Sequence, residues 1–155
     1  MNMNHMLMLT LVATLSFVQG QVAAQTDEAE AEIVLTLERI ADSFESGELG
    51  LLDEVFAPGP GVHIIEGAGV NHGWAEYRDE HLRPELEAFK NLVYRYFAIE
   101  PVVRGELAFA AFRYELSADL NGGPLNMEGR GTAVLEQLEG RWKIVHLHTS
   151  GRRNQ

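Results

Sequence analysis

The chain has 155 residues, a formal net charge of −11 and no cysteine. Such acidity argues against nucleic acid and anionic membranes as partners, because both select a clustered basic patch that releases counterions on binding. Without cysteine there is no disulfide, thiol nucleophile or thiolate ligand, so any chemistry falls to His, carboxylates, Tyr and hydroxyls.

Residues 1–24, MNMNHMLMLTLVATLSFVQGQVAA, have a short polar start, an apolar run from Met6 to Val18 and small residues at the end. This pattern predicts an export signal cleaved after Ala24, which would make the protein periplasmic or secreted. The run is too short to cross a bilayer of roughly 30 Å, and no membrane contact is expected once the leader is removed. The leader holds no Asp, Glu, Lys or Arg, so the whole charge falls on residues 25–155, a length that suits one domain.

Thr26 is a candidate N-cap, followed by acidic residues in the first turn. Ile33, Leu37, Ile40, Ala41 and Phe44 then recur at helical spacing, which predicts an amphipathic helix ended by Ser46-Gly47. LGLLDEVFAPGPG predicts a short helical turn and a break, and VHIIEG (residues 62–67) a strand. Asn71 is placed to cap a helix from about Gly73, with Trp74, Tyr77, Arg78, His81 and Leu82 along one side and a kink or restart at Pro84. LVYRYFAIEPVV, LAFAAFRYELSADL, NMEGRGTAVLEQL and RWKIVHLHTS alternate with period two, predicting four strands. Asn121-Gly-Gly-Pro124 and Glu139-Gly140 supply hairpin turns between the last three. The order predicts an α+β fold with helices on one face of a curved antiparallel sheet.

The first helix ending in ESGELGLLDEVFAPG, the segment VHIIEGAGVNHGWAEYRDEHLRPEL and the terminal GRGTAVLEQLEGRWKIVHLHTSG resemble the nuclear transport factor 2-like superfamily, in particular its exported bacterial SnoaL-like members. The terminal strand is also similar to the association domain of calcium/calmodulin-dependent protein kinase II. The resemblance implies a cone-shaped, cystatin-like roll whose sheet wraps the N-terminal helices and leaves a pocket, over a single SnoaL-like domain at residues 25–155. It also implies homodimers or larger rings built through the sheet's outer surface. That kinase domain carries a cavity arginine where this chain has Ala133, so affinity for small carboxylates is not implied.

Strict alternation puts His146 and His148 on one face of the last strand with Trp142 and Ile144, pointing into the expected pocket. A two-residue turn at Glu139-Gly140 pairs Gln137 with Trp142 and sets Ala133 opposite His146 and Gly131 opposite His148, which leaves room beside the imidazoles. Both histidines are therefore candidates for ligand binding and for proton transfer, since imidazole titrates at about 6.5. Trp74, Tyr77 and His81 form a candidate pocket wall, and Tyr96, Tyr114 and Glu66 are further candidate ligand contacts. Glu66 and His63 are three positions apart, so in a regular strand they face opposite ways. The H-x-H pair also suits a metal, with His63, Glu66 or His81 completing the shell. Ketosteroid isomerase chemistry is disfavoured, because no paired carboxylate accompanies the inward tyrosines and histidines. The glycines at 67, 69 and 73 lack phosphate-loop spacing, and no cofactor is expected. These features point to an exported protein that binds an unknown small molecule, with or without His-based acid-base catalysis. A non-catalytic homo-oligomerisation module and a metal-binding protein are the alternatives.

Overall fold

The computed structural model describes residues 3–154, with side chains from Ala24 to Asn154. The leader expected at residues 1–24 thus falls, but for Ala24, outside the described side chains. Helix α1 spans Met3–Ser46. Thr26 is accordingly an interior residue and not an N-cap, since no proline precedes it to break the helix. The predicted face is correct: Ile33, Leu37, Ile40, Ala41 and Phe44 are buried, while Glu38 and Arg39 are exposed. Gly47 ends the helix in the left-handed region, at φ 74°.

A short 3-10 turn (Leu49–Leu52) leads to β1 (His63–Glu66) and β2 (Gly69–His72). Asn71 therefore lies in a strand, and the helix cap falls to Gly73. Helix α2 (Trp74–Glu76), a π-helical turn (Tyr77–Leu82) and α3 (Arg83–Ala88) follow as one continuous rod. Pro84 sits in the first turn of α3. Its missing amide proton and its ring deny the Glu80 carbonyl an ordinary α-helical bond, which accounts for the wider turn before it.

Strands β3 (Lys90–Arg104), β4 (Leu107–Leu120), β5 (Gly123–Leu138) and β6 (Arg141–Arg153) form the expected meander. The sheet has six strands in the order β2-β1-β6-β5-β4-β3, and its one parallel pair is β1 with β6. Glu139 and Gly140 both have positive φ, 51° and 76°, as a tight hairpin turn needs. Gln137 pairs with Trp142 as the turn predicts, but the register shifts between Val134 and Leu135. Val145 is the extra residue, a β-bulge, so Ala133 faces Leu147 and Gly131 faces Thr149. The bulge coincides with a change of neighbour on the other edge of β6. Before it, Ile144 bonds the segment around Phe56 (Ala57 N to Ile144 O, 2.9 Å; Ile144 N to Val55 O, 2.9 Å); beyond it, β1 takes over.

Curvature follows from aromatic rings laid over glycines. The Phe112 ring occupies the place a Gly131 Cβ would take, and the Tyr114 ring lies across Gly129 and Gly151. Helix α1 packs on the inner side of this sheet, chiefly against β3, with Phe44 stacked on Tyr94 at 5.6 Å. A methyl at Gly129 would meet both the Tyr114 ring and the Ser150 carbonyl, and the carbonyl, being backbone, cannot swing away. Gly129→Ala should therefore destabilise the protein by about 1–3 kcal/mol in urea unfolding. Gly50→Ala, with no atom within 4 Å of the new methyl, should stay within about 0.5 kcal/mol of the parent.

Candidate acid-base site

The bulge decides which residues face the interior. Trp142 and Ile144 point inward before it, Leu147 and Thr149 after it, and all four are buried. His146 and His148 consequently lie on the outer face, the former half-buried and the latter exposed. This corrects the expectation that both enter the pocket: one extra residue inverts the alternation on which that expectation rested. His63 also faces outward, directly beside His146, while Ile64 and Glu66 face inward.

Neighbouring inner positions form transverse rows. One runs Phe112, Gly131, Thr149, Glu66, and the next Tyr96, Tyr114, Gly129, Gly151. The rod from α2 to α3 closes over the β1 end of these rows. Trp74 anchors it by stacking on Phe56 at 4.5 Å and donating Nε1–H to Asp53 Oδ1 at 2.7 Å. Arg78 Nη1 reaches the same oxygen at 2.6 Å and also pairs with Asp79, whose pKa its guanidinium holds down at about 2. Trp74 is thus a clamp between elements and does not meet Glu66.

Three of the candidate residues do meet. The Tyr77 hydroxyl donates to Glu66 Oε2 at 2.7 Å, and His81 Nε2 lies 3.6 Å from that oxygen. The same Nε2 lies 3.6 Å from Glu85 Oε1, and His81 Nδ1 is 3.1 Å from Asn71 Oδ1. With Nδ1–H donated to Asn71, Nε2 stands between the two carboxylates, 3.6 Å from each. Side-chain exposures of 38%, 25% and 46% for Glu66, His81 and Glu85 leave the cluster open to a solute.

Burial, then the Glu66 charge, pushes the Tyr77 and Tyr114 phenols above their ordinary values. Tyr94 and Tyr96 are raised by burial first as well. All four stay protonated and able to donate hydrogen bonds. Glu85 is raised by burial and then by Glu66, the usual behaviour of paired carboxyl groups. His146, outside this cluster, is pushed down by burial and by neighbouring His148 and His63.

Glu85 and Asn71 are the members the sequence did not single out. Glu85 lies four positions after His81 and eight after Tyr77, on the same helical stripe, but beyond the kink or restart expected at Pro84. It supplies the second carboxylate that the strands lack, which removes the objection to a two-carboxylate site. Glu66, His81 and Glu85 are also the His and carboxylate residues, among those described, whose donor atoms already lie within 4.8 Å of one another. Three open depressions lie elsewhere: about 330 Å³ beside Arg113, Arg130 and Arg152, about 430 Å³ beside Trp74 and Arg78, and about 460 Å³ beside Trp142. None of these three touches Glu66; the site is located by its grouped chemistry.

Residues 33–152 match the model of the SnoaL-like domain. Solved structures share the fold. A nuclear transport factor 2-like superfamily protein from Salmonella enterica is 24% identical, with TM-score 0.76 over 84% of this chain and 95% of its own. A provisionally assigned ketosteroid isomerase from Shewanella frigidimarina is 22% identical, with TM-score 0.65 over 74% of this chain and 91% of its own. A provisionally assigned dehydratase of the same superfamily from Streptomyces avermitilis is 13% identical, with TM-score 0.71 over 81% and 98%. No protein with a curated description matches the chain. No helix among the described residues is long and apolar enough to cross a membrane.

A carboxyl whose pKa is raised by folding stabilises the fold while protonated, and that contribution is lost as pH rises through the folded value. Glu85→Gln, which never ionises, should raise the thermal midpoint at neutral pH. The gain should fade on acidification and vanish below about pH 4, where Glu85 is protonated folded or unfolded. A midpoint scan against pH on both proteins checks this.

Proposed function

The chain belongs to the SnoaL-like domain family, and from that membership we propose that it binds a small molecule against the inner face of the sheet and moves a proton on it. The carrying observation is the Glu66 carboxylate, fixed by the Tyr77 hydroxyl at 2.7 Å and joined through His81 to Glu85. A carboxylate so held is oriented to take a proton from a carbon next to a carbonyl, while a neutral phenol donates a hydrogen bond to the oxygen that gains charge. His81 and Glu85 would then carry the proton away or return it elsewhere on the molecule. Phe112, Tyr96 and Tyr114 lie buried on the inner face in the rows next to Glu66 and make its surroundings apolar, as a ligand carrying one carbonyl would need. The isomerase and dehydratase assignments of two structural neighbours are consistent with proton-transfer chemistry.

Incubating the protein with small cyclic ketones in heavy water, and following deuterium uptake by mass spectrometry, tests this. Exchange should be accelerated, and Glu66→Gln should remove about 10²–10⁴-fold of the acceleration. Tyr77→Phe should cost less, because it positions the base without replacing it. Acceleration that survives Glu66→Gln unchanged would count against the assignment.

A second observation supports self-association. Phe109 and Leu107 on the outer face of β4 are 47% and 52% exposed, and Val102 and Val134 lie directly beside Phe109. We propose that this apolar half of the outer face pairs with a second copy. Light scattering at micromolar concentration should give a dimer that Phe109→Glu converts to monomer; a monomeric parent protein would rule it out.

A further inference from the structure

A second histidine group lies on the opposite side of the sheet from Glu66, and the proton-transfer proposal does not use it. On the outer face one transverse row crosses all six strands: Val102, Phe109, Val134, His146, His63, His72. His148 stands two positions beyond His146, on the same face. Four of the chain's six histidines are thus gathered from two distant segments into one patch.

We propose that His63, His146 and His148 form a binding site for one divalent transition-metal ion, with His72 orienting the His63 ring. Adjacent strands place His63 about 4.8 Å from His146, and two steps along β6 place His148 about 6.6 Å from it at the backbone. The three sets of donor atoms do not stand within 4.8 Å of one another as they are, so binding turns the imidazoles about their side-chain torsions onto a single ion at about 2.0–2.1 Å while the ladder holds the backbone. His72 meets the His63 ring edge-on, with centroids 4.9 Å apart, which limits how that ring turns. Among the described residues no carboxylate pairs with any of the four, so their ring nitrogens are not committed to ion pairs.

Exposure argues against a packing role. His63 and His148 are both open to solvent, and a strand position there is filled as well by Thr, as the neighbouring exposed Thr132 shows. The donor chemistry sets the class of ion: three neutral imidazoles select zinc, copper or nickel over calcium or magnesium, which demand oxygen. A three-histidine set leaves a tetrahedral ion one open position for water or an anion.

Titrating zinc into the untagged full-length protein by calorimetry tests the site, with cobalt substitution to report tetrahedral geometry by visible absorption. One ion per chain is expected. His63→Gln, His146→Gln and His148→Gln should each weaken binding at least about 100-fold, and His72→Gln about 10-fold. Circular dichroism should confirm that each variant is folded, as expected for these outward side chains. His81→Gln should bind zinc like the parent. No heat of binding up to about 100 µM zinc would overturn the proposal, since imidazole sites of this kind bind far more tightly. So would affinity that persists in the triple variant, or that is lost with His81→Gln instead.

Discussion

One inserted residue, Val145, sets which side chains of β6 face the core and which face outward. Side chains of a strand alternate, so a single bulge exchanges the faces of everything beyond it. Ahead of it β6 supplies Trp142 and Ile144 to the core; after it Leu147 and Thr149 take over. Thr149 then stands beside Glu66, and His146 stands beside His63 on the other side. The outer histidine patch therefore depends on the bulge, whereas the inner cluster, carried by β1, β2 and the rod, takes from β6 only its neighbour Thr149. The bulge's position is itself constrained, because the edge of β6 changes partner at this point, from the segment around Phe56 to β1.

The inner face joins two requirements that could have conflicted. A strongly bent sheet needs residues without side chains, whereas a binding surface needs area and donors. Laying Phe112 and Tyr114 over Gly129, Gly131 and Gly151 meets both, since the rings fill what the glycines leave and add the Tyr114 phenol to the inner face. Burial keeps that phenol and its neighbours protonated, so the face offers hydrogen-bond donors beside the ionisable carboxyls Glu66 and Glu85. The π-helical turn completes the arrangement by bringing Tyr77 and His81 down onto Glu66, their rings 5.1 Å apart.

Much of this was legible in the sequence. Period two located all four long strands, Glu139-Gly140 fixed their last turn, and the helical spacing of Ile33, Leu37, Ile40 and Phe44 gave the buried face of α1. The opposite facing of Glu66 and His63 followed from parity alone, as β1 is too short to hold a bulge. Parity failed in β6, because nothing in KIVHLH marks Val145 as the extra residue; the cause lies in strand partners that are distant in the chain. β2 escaped notice for a different reason. Its residues Gly69, Val70, Asn71 and His72 carry no alternating apolar pattern, and only pairing with β1 makes them a strand. Glu85 was hidden by Pro84, which usually ends a helix but here follows a wide turn and lets the rod continue.

The two histidine environments then differ in kind although they are built from the same residue. His81 is enclosed by acceptors, two carboxylates and an amide oxygen, so each of its nitrogens has a proton acceptor within reach and the ring is suited to passing protons. The outer histidines have each other and uncharged neighbours such as Thr132, Val134 and Ile65. A free lone pair is what a metal ion requires, and no carboxylate among the described residues competes for it there. The carboxylates on the outer face, such as Glu115 and Glu128, pair with Arg95 and Arg152, whereas Glu66 and Glu85 on the other side stand beside His81. The side of the sheet to which proton transfer is assigned follows from where Glu66 and Glu85 stand rather than from the histidines themselves.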